Sequence, residues 1–200
     1  MLQKLILDSV EGTRKVLDLV LADDVLISAV AKAGELCIEA LKQNRKILVA
    51  GNGGSAADSQ HIAAELVSRL NYDRPGLSSI ALTTDTSALT AIGNDYGFDR
   101  VFARQLEAIG QEGDVFIAIS TSGNSGNVLA AIESARAKGI KVIGMTGQGG
   151  GKMEALCDII LKMPSSRTPN IQECHIMFGH IICQIIEDGM FGKEYGPAKA

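Results

Sequence analysis

The 200-residue sequence predicts an α/β protein with an open, parallel, five-stranded sheet preceded by two helices. Short apolar runs recur along the chain. Each run is followed by a turn rich in glycine or hydroxyl side chains and then by a helical segment. Strands covered on both faces have nearly continuous apolar sequences, and their alternation with helices is typical of βαβ crossovers. The predicted strands are Lys46–Ala50, Ser79–Leu82, Val115–Ile119, Lys141–Met145 and Asp158–Met163.

The two leading helices are predicted over residues 1–20 and about 24–41, where apolar side chains recur at helical spacing. They carry more apolar surface than one sheet edge needs, which favours association with other copies; packing within one subunit is the alternative. A last helix is predicted from a Thr168 N-cap and Pro169 to about Gly189. We therefore expect one domain, with helices for oligomerisation in residues 1–44, the sheet core in 45–190 and a loose tail in 191–200.

The composition argues against several classes of protein. The net charge is −4 and aromatic residues make up 4% of the chain, which disfavours nucleic-acid binding. No apolar run reaches the roughly 18 residues that span a bilayer, and the charged N-terminus does not resemble a secretory signal. The cysteines form no CxxC pair and lie in apolar surroundings, so we expect buried thiols in a reducing cytoplasm: Cys37, Cys157, Cys174 and Cys183.

Two loops have the composition of phosphate-binding loops. Residues 51–58 follow the first predicted strand and residues 120–127 follow the third, each at the start of a helix. Glycine allows backbone N–H groups to approach a ligand, and a helix N-terminus favours an anion. The second loop adds four hydroxyls, which suit a terminal phosphate monoester: Ser120, Thr121, Ser122 and Ser125.

Other interpretations of these loops remain open. The hydroxyls could simply cap the helices. Gly51, Gly53 and Ala56 satisfy G-x-G-x-x-A, but no acidic residue ends the next strand, so a dinucleotide site is disfavoured and no nucleotide cofactor is expected. A P-loop is excluded because Met153 follows Gly151-Lys152.

The three histidines lie on helices that start beside these loops. His61 and Glu65 are four residues apart and share one helix face, while His175 and His180 lie on the last helix. A histidine and a carboxylate at this spacing can chelate a divalent ion or transfer protons. A surface pair, or a core histidine bonded to a carbonyl, is the alternative.

Together these motifs resemble the phosphoheptose isomerases of the sugar isomerase (SIS) domain family. The resemblance rests on Gly51-Asn-Gly-Gly-Ser55, Gln60-His61-x-x-x-Glu65, Gly93-Asn94-Asp95, Ser120–Ser125, and Ile171-Gln172-Glu173 with His180. It implies a flavodoxin-like, doubly wound sheet and a homotetramer with shared active sites. The implied reaction is an aldose–ketose isomerisation through an enediol. It interconverts sedoheptulose 7-phosphate and D-glycero-D-manno-heptose 7-phosphate, which leads to the heptose of bacterial surface glycans such as lipopolysaccharide.

The resemblance also implies a role for each matching residue. Glu65 and His180 would be the acid/base pair. One zinc ion per subunit would be held by His61, Glu65, Gln172 and His180. The substrate would be bound by Asn52, Gly53, Gly54, Ser55, Glu65, Asn94, Asp95, Ser120, Thr121, Ser122, Ser125 and Gln172.

One position departs from the family, and two other functions stay open. Family members often carry a basic residue where this chain has Asn170, and Arg167 is the neighbouring cation. Some SIS proteins are non-catalytic regulators, including one type that associates with the bacterial replication initiator, but this chain keeps both Glu65 and His180. An isomerase of another phosphosugar is the remaining alternative.

Overall fold

The computed structural model of the chain describes residues 1–196. Its sheet has five parallel strands in the order β2-β1-β3-β4-β5, so the predicted sheet is confirmed. The strands are Ile47–Gly51 (β1), Ser79–Ala81 (β2), Val115–Ile119 (β3), Lys141–Gly147 (β4) and Ile159–Met163 (β5). The three central strands, β1, β3 and β4, are buried almost throughout, because helices cover both faces.

Seven α-helices lie within the described residues, together with short 3₁₀ turns at Phe98–Arg100 and Gly151–Ala155. One core joins the sheet to the second, third and seventh helices, and the other joins it to the fifth and sixth. The helices are Leu2–Leu21 (α1), Asp24–Lys42 (α2), Gly54–Val67 (α3), Thr86–Tyr96 (α4), Ala103–Ile109 (α5), Gly126–Ala137 (α6) and Thr168–Phe191 (α7). Among the described residues, no helix is long and apolar enough to cross a bilayer.

The strand order reverses between β1 and β3. The chain leaves β1 into α3 on one face of the sheet and leaves β3 into α6 on the other. In doubly wound sheets the carboxyl ends at such a reversal form the crevice that binds ligands. The two predicted phosphate loops are the segments that flank this crevice.

Some predicted boundaries differ from those in the structure. Strand β4 continues for two residues beyond Met145, because Thr146 and Gly147 pair with Lys162 and Met163 of β5. Thr168 is the first helical residue of α7 and Arg167 takes the N-cap position, so the predicted Thr168 cap is displaced by one residue. Pro169 still lies in the first turn, where its missing N–H breaks no helical hydrogen bond.

The chain after α7 was predicted to be a loose tail. Residues 192–196 form turns, and the Tyr195 ring contacts Phe191 edge-on with 5.8 Å between the centroids. Residues 197–200 of that predicted tail lie outside the described residues.

The cysteines are free thiols, as expected. Cys37, Cys174 and Cys183 are buried, whereas Cys157 is only half-buried. Burial raises the pKa of Cys183 to about 12 and also raises that of Cys37. These thiols stay protonated near neutral pH, so they act as small apolar side chains.

His175 is a core residue. Its side chain is fully buried, and Nε2 donates to the Thr146 carbonyl at 3.2 Å. Nδ1 has no hydrogen-bond partner among the described residues. Burial disfavours the imidazolium and lowers the pKa of His175 to about 4. His175 is therefore a core histidine bonded to a carbonyl, which was the alternative to a metal-binding or proton-transfer role.

We expect His175 to destabilise the protein in mild acid. The unfolded chain binds a proton at this histidine below its ordinary pKa of 6.5, but the folded chain does so only near 4. Unfolding therefore takes up a proton between these values, so stability falls as the pH drops through that window. The loss is about 2–3 kcal/mol at pH 4.5 relative to pH 7.5.

Urea unfolding of the wild type and of His175→Gln at both pH values measures this loss of stability on acidification. Glutamine can keep the bond to Thr146 but does not titrate, so the variant should lose less stability on acidification. Equal acid losses in the two proteins would contradict this assignment.

Candidate active site

The site lies where α3 and α7 run side by side in the same direction. A Cβ at Gly54 would lie 2.5 Å from Gln172 Nε2, which places the start of α3 against the start of α7. Further along, His61 meets His180, and beyond the end of α3 the backbone N–H of Leu70 donates to Glu187. Residues far apart in the chain therefore meet along one seam.

His61, Glu65 and His180 form a compact cluster in this seam. His61 Nε2 lies 3.0 Å from Glu65 Oε1 and 2.9 Å from His180 Nε2. The His61 side chain is 48% exposed and that of Glu65 is 22% exposed, so the cluster is open to solvent. Two imidazole nitrogens at this distance either share a proton or face a common cation. The arrangement can therefore move protons or hold a metal.

The donor set fits zinc. One ligand atom from each of these three residues lies within 4.8 Å of the other two. Two imidazoles and one carboxylate, with a fourth position open, are the ligands of several catalytic zinc sites. The fourth predicted ligand, Gln172, lies two helical turns before His180, with its amide against Gly54. The structure thus gathers three of the four predicted ligands.

The serine loop, residues 120–125, follows β3 and turns its hydroxyls toward one another. Ser120 Oγ lies 2.9 Å from Ser125 Oγ and 3.5 Å from Ser122 Oγ. Ser125 is the N-cap of α6 but makes no side-chain cap hydrogen bond. Helix capping therefore does not account for this hydroxyl. The backbone of Asn124 donates to Ser122 Oγ at 3.1 Å, and the Thr121 side chain is half-buried.

The glycine-rich segment 147–151, which begins at the end of β4, packs against the serine loop. Gly123 has φ +66°, and a Cβ there would overlap the Gly150 carbonyl oxygen. Only glycine permits this backbone contact. The Met153 N–H donates to the Gly123 carbonyl at 3.1 Å, and the Lys152 N–H donates to Asn124 Oδ1 at 3.1 Å. These bonds join the serine loop to the 3₁₀ turn at Gly151–Ala155.

The glycine loop, residues 51–55, lies beside the serine loop. A Cβ at Gly51 would lie 2.9 Å from the Ile119 carbonyl oxygen, so the two strand ends approach closely. Gly53 is exposed with φ +58°, Gly54 is exposed, and Ser55 is buried. The half-buried Asn52 forms a reciprocal pair of amide hydrogen bonds with Asn127.

The two remaining predicted substrate residues lie on α4. Asn94 and Asp95 are exposed, and Asn94 Nδ2 donates to Asp95 Oδ1 at 2.8 Å. None of the residues of α4 is buried. Among the described residues, no side-chain hydrogen bond joins this pair to the histidine cluster.

Asn170, which stands where family members often carry a basic residue, bonds to α1. Asn170 is buried, and its Nδ2 donates to Thr13 Oγ1 at 3.0 Å and Glu173 Oε2 at 3.1 Å. It therefore joins α1 to α7. The exposed Arg167 approaches Gly12 of α1, where a Cβ would lie 3.8 Å from Nη1.

Three residues near the site were given no role by the sequence. Asn127 was part of a noted motif, but its bond to Asn52 depends on the fold. The Asp99 carboxylate lies beside Gly126 at the start of α6, and no local sequence signal predicts that contact. Asp58 lies one turn before His61; burial raises its pKa and the charge on His61 partly opposes the shift.

Comparisons with known proteins identify the family of this chain. The SIS domain profile matches residues 13–147. A phosphoheptose isomerase from Burkholderia pseudomallei is 53% identical over 189 residues, which cover 94% of this chain and 96% of that protein. The chain belongs to the phosphoheptose isomerase family of SIS-domain proteins. This membership confirms the predicted family and the prediction that the chain is an isomerase.

Solved structures of the family have the same fold. The phosphoheptose isomerase from Neisseria gonorrhoeae superposes with a TM-score of 0.88 at 44% identity, covering 94% of this chain and 100% of that one. The enzyme from Francisella tularensis gives a TM-score of 0.90 at 37% identity, covering 94% and 99%. The flavodoxin-like, doubly wound architecture expected from the motifs is therefore confirmed.

Proposed function

We propose that this protein interconverts sedoheptulose 7-phosphate and D-glycero-D-manno-heptose 7-phosphate, a reaction that supplies heptose for bacterial surface glycans. The observation that carries the proposal is the His61–Glu65–His180 cluster on α3 and α7, in a chain whose β3–α6 loop gathers serine hydroxyls. This arrangement occurs in a chain 53% identical to a phosphoheptose isomerase. It offers separate groups for the two ends of an open-chain sugar phosphate.

The serine loop binds the phosphate in this proposal. The Ser120 hydroxyl lies 2.9 Å from that of Ser125 and 3.5 Å from that of Ser122. A phosphate monoester has three oxygens that accept such donors. The N-terminus of α6, which begins directly after Ser125, adds backbone N–H groups and the positive end of the helix dipole. Thr121 completes the predicted set.

Glu65 and His180 act at the carbonyl end. Glu65 removes a proton from C1 of the ketose, which gives the enediol, and then delivers a proton to C2 to form the aldose. His180 exchanges protons with the oxygens as the carbonyl moves between C1 and C2. Glu65 Oε1 faces His61, which leaves the second carboxylate oxygen for the substrate. General acid–base groups must lie within hydrogen-bond reach of the reacting atoms, and the open side of the cluster allows that approach.

The sugar hydroxyls lie between these two ends. Asn52, Gly53, Gly54 and Ser55 border this space from the first loop, and Gln172 borders it from α7. Asn94 and Asp95 on the exposed α4 supply further hydroxyl partners.

Zinc would be held by His61, Glu65 and His180, with Gln172 as the proposed fourth ligand. When bound, the ion would polarise the substrate oxygens and stabilise negative charge. A carboxylate that binds a metal is a weaker base, so Glu65 does not fill both roles through the same oxygen. Oε1 points into the cluster and suits the ligand role; Oε2 suits the base role.

We further propose a homotetramer with shared active sites in the reducing cytoplasm. The first half of α1 buries none of its apolar side chains within the subunit. These exposed side chains are Leu2, Leu5, Ile6, Leu7 and Val10. An apolar helix face of this kind favours contact with other copies. The four free cysteines support a reducing compartment.

An assay in deuterium oxide tests the function. The purified protein is incubated with sedoheptulose 7-phosphate and followed by NMR, with and without a chelator. We expect the heptose 7-phosphate to form with deuterium at C2, because a proton held by a side chain exchanges with solvent. Chelation should slow the reaction and added zinc should restore it.

The outcomes separate the alternatives. Absence of conversion would overturn the isomerase proposal and favour a phosphosugar-binding regulator. Equal turnover of hexose 6-phosphates would contradict the proposed substrate. Full activity in the chelator would overturn the metal role alone.

A further inference from the structure

The pair of amide groups formed by Asn52 and Asn127 bridges the crevice at the sheet edge. Asn52 Nδ2 donates to Asn127 Oδ1 at 2.8 Å, and Asn127 Nδ2 donates to Asn52 Oδ1 at 2.8 Å. Asn127 is 2% exposed. The two side chains therefore satisfy each other, and Asn127 has little surface with which to contact a ligand.

The pair links the two loops that the proposed function uses. Asn127 is the second residue of α6 and lies two residues after the serine loop. Asn52 lies between the end of β1 and the glycines that start α3. A Cβ at Gly53 would have no neighbour within 4 Å, so no side chain packs on this residue, although Gly51 and Gly54 on either side of it are closely packed. Within residues 1–196, the Asn52–Asn127 pair is the side-chain hydrogen bonding that joins this loop to the start of α6, next to the serine loop.

We propose that Asn127 is a positioning residue that acts through Asn52. It fixes the start of α3, and with it Glu65, relative to the loop that holds the phosphate. This inference rests on the proposed function. A substrate bound at both ends requires the correct separation between the two loops. A free phosphate, which occupies only the serine loop, does not.

The test compares these two ligands in Asn127→Leu. Leucine has nearly the same size but cannot hydrogen-bond. We expect kcat/KM for sedoheptulose 7-phosphate to fall about tenfold to a hundredfold, since a displacement near 1 Å costs about that much. The Kd of inorganic phosphate should change less than about twofold. Asn127→Ala removes the same amide with a smaller side chain and serves if Asn127→Leu does not fold.

The double variant tests whether Asn127 acts through Asn52. If Asn127 acts through Asn52, Asn52→Leu/Asn127→Leu should lose no more activity than the worse single variant. Gln105→Leu is the matched control: its half-buried amide donates to the Leu82 and Val101 carbonyls, which belong to neither loop. It should keep kcat/KM within about twofold of wild type.

Three results would overturn the inference: an unchanged kcat/KM in the single variants, a phosphate Kd weakened as much as kcat/KM, or losses that multiply in the double variant. Failure of the proposed function is separate, because it appears as a wild type without turnover. In that case the Kd of sedoheptulose 7-phosphate, measured by calorimetry, replaces kcat/KM in the same comparison, and equal Kd values in wild type and variants overturn the inference.

Discussion

Glu65→Gln is expected to lower kcat for heptose phosphate isomerisation by about 10²–10⁴-fold. Glutamine preserves the size of the side chain, but its amide cannot take up the proton that leaves the sugar carbon. The half-buried Glu65 faces His61 at 3.0 Å and lies on the surface of the cluster that is open to solvent. The variant should therefore fold, and the exchange of substrate hydrogen with deuterium oxide should fall together with kcat.

Two further measurements make this result specific. Metal content, determined by mass spectrometry, separates loss of a base from loss of a zinc ligand: an inactive variant that retains zinc has lost the base. Glu133→Gln is the matched control, because Glu133 is an exposed carboxylate on α6 and should keep kcat within about twofold. Folded Glu65→Gln with kcat near that of the wild type would refute the assigned role.

The second large effect concerns the buried ion pair between Arg74 and Glu187. Arg74 Nε lies 3.1 Å from Glu187 Oε1, and both side chains are 0% exposed. The Glu187 carboxylate also accepts the backbone N–H groups of Leu70 and Asn71. Arg74 Nη2 donates to the backbone carbonyl of Glu65 at 2.8 Å. The pair therefore ties the end of α3, which bears the proposed base, to α7.

Glu187→Gln should reduce the free energy of unfolding by about 3–5 kcal/mol, because the Arg74 guanidinium stays buried without its counter-charge. Urea denaturation at neutral pH measures the loss. Glu11→Gln removes the charge from an exposed pair in α1, in which Arg14 is 61% and Glu11 45% exposed. This control should lose less than about 1 kcal/mol. Equal losses in the two variants would show that burial does not decide the energy of these pairs.

The regular elements could be predicted because their signals are local. The apolar run at Val115–Ile119 coincides with β3 to the residue. The other strands differ at their ends, as at Thr146 and Gly147, because the neighbouring strand sets how far pairing extends. The register and order of the strands depend on which helices cover which face, and local sequence does not contain that information.

The candidate site was predicted in composition but not in geometry. His61 and Glu65 share a helix face by their spacing alone, and the serine loop is visible as a run of hydroxyls. The contact of His180 with His61 spans 119 residues and depends on the parallel packing of α3 against α7. The same packing buries His175 in the core, although His175 and His180 lie on the same helix and looked equivalent in the sequence.

By itself the sequence determined the parallel α/β architecture, the two loops at strand ends and the identity of the polar groups available to them. These follow from periodicity, glycine content and side-chain chemistry over a few residues. Only the tertiary structure decided that Asn127 bonds to Asn52, that Glu187 forms an ion pair with Arg74 and that the three candidate metal ligands lie together. Such contacts join distant segments, and their partners are set by how helices pack on the two faces of the sheet, which no short stretch of sequence specifies.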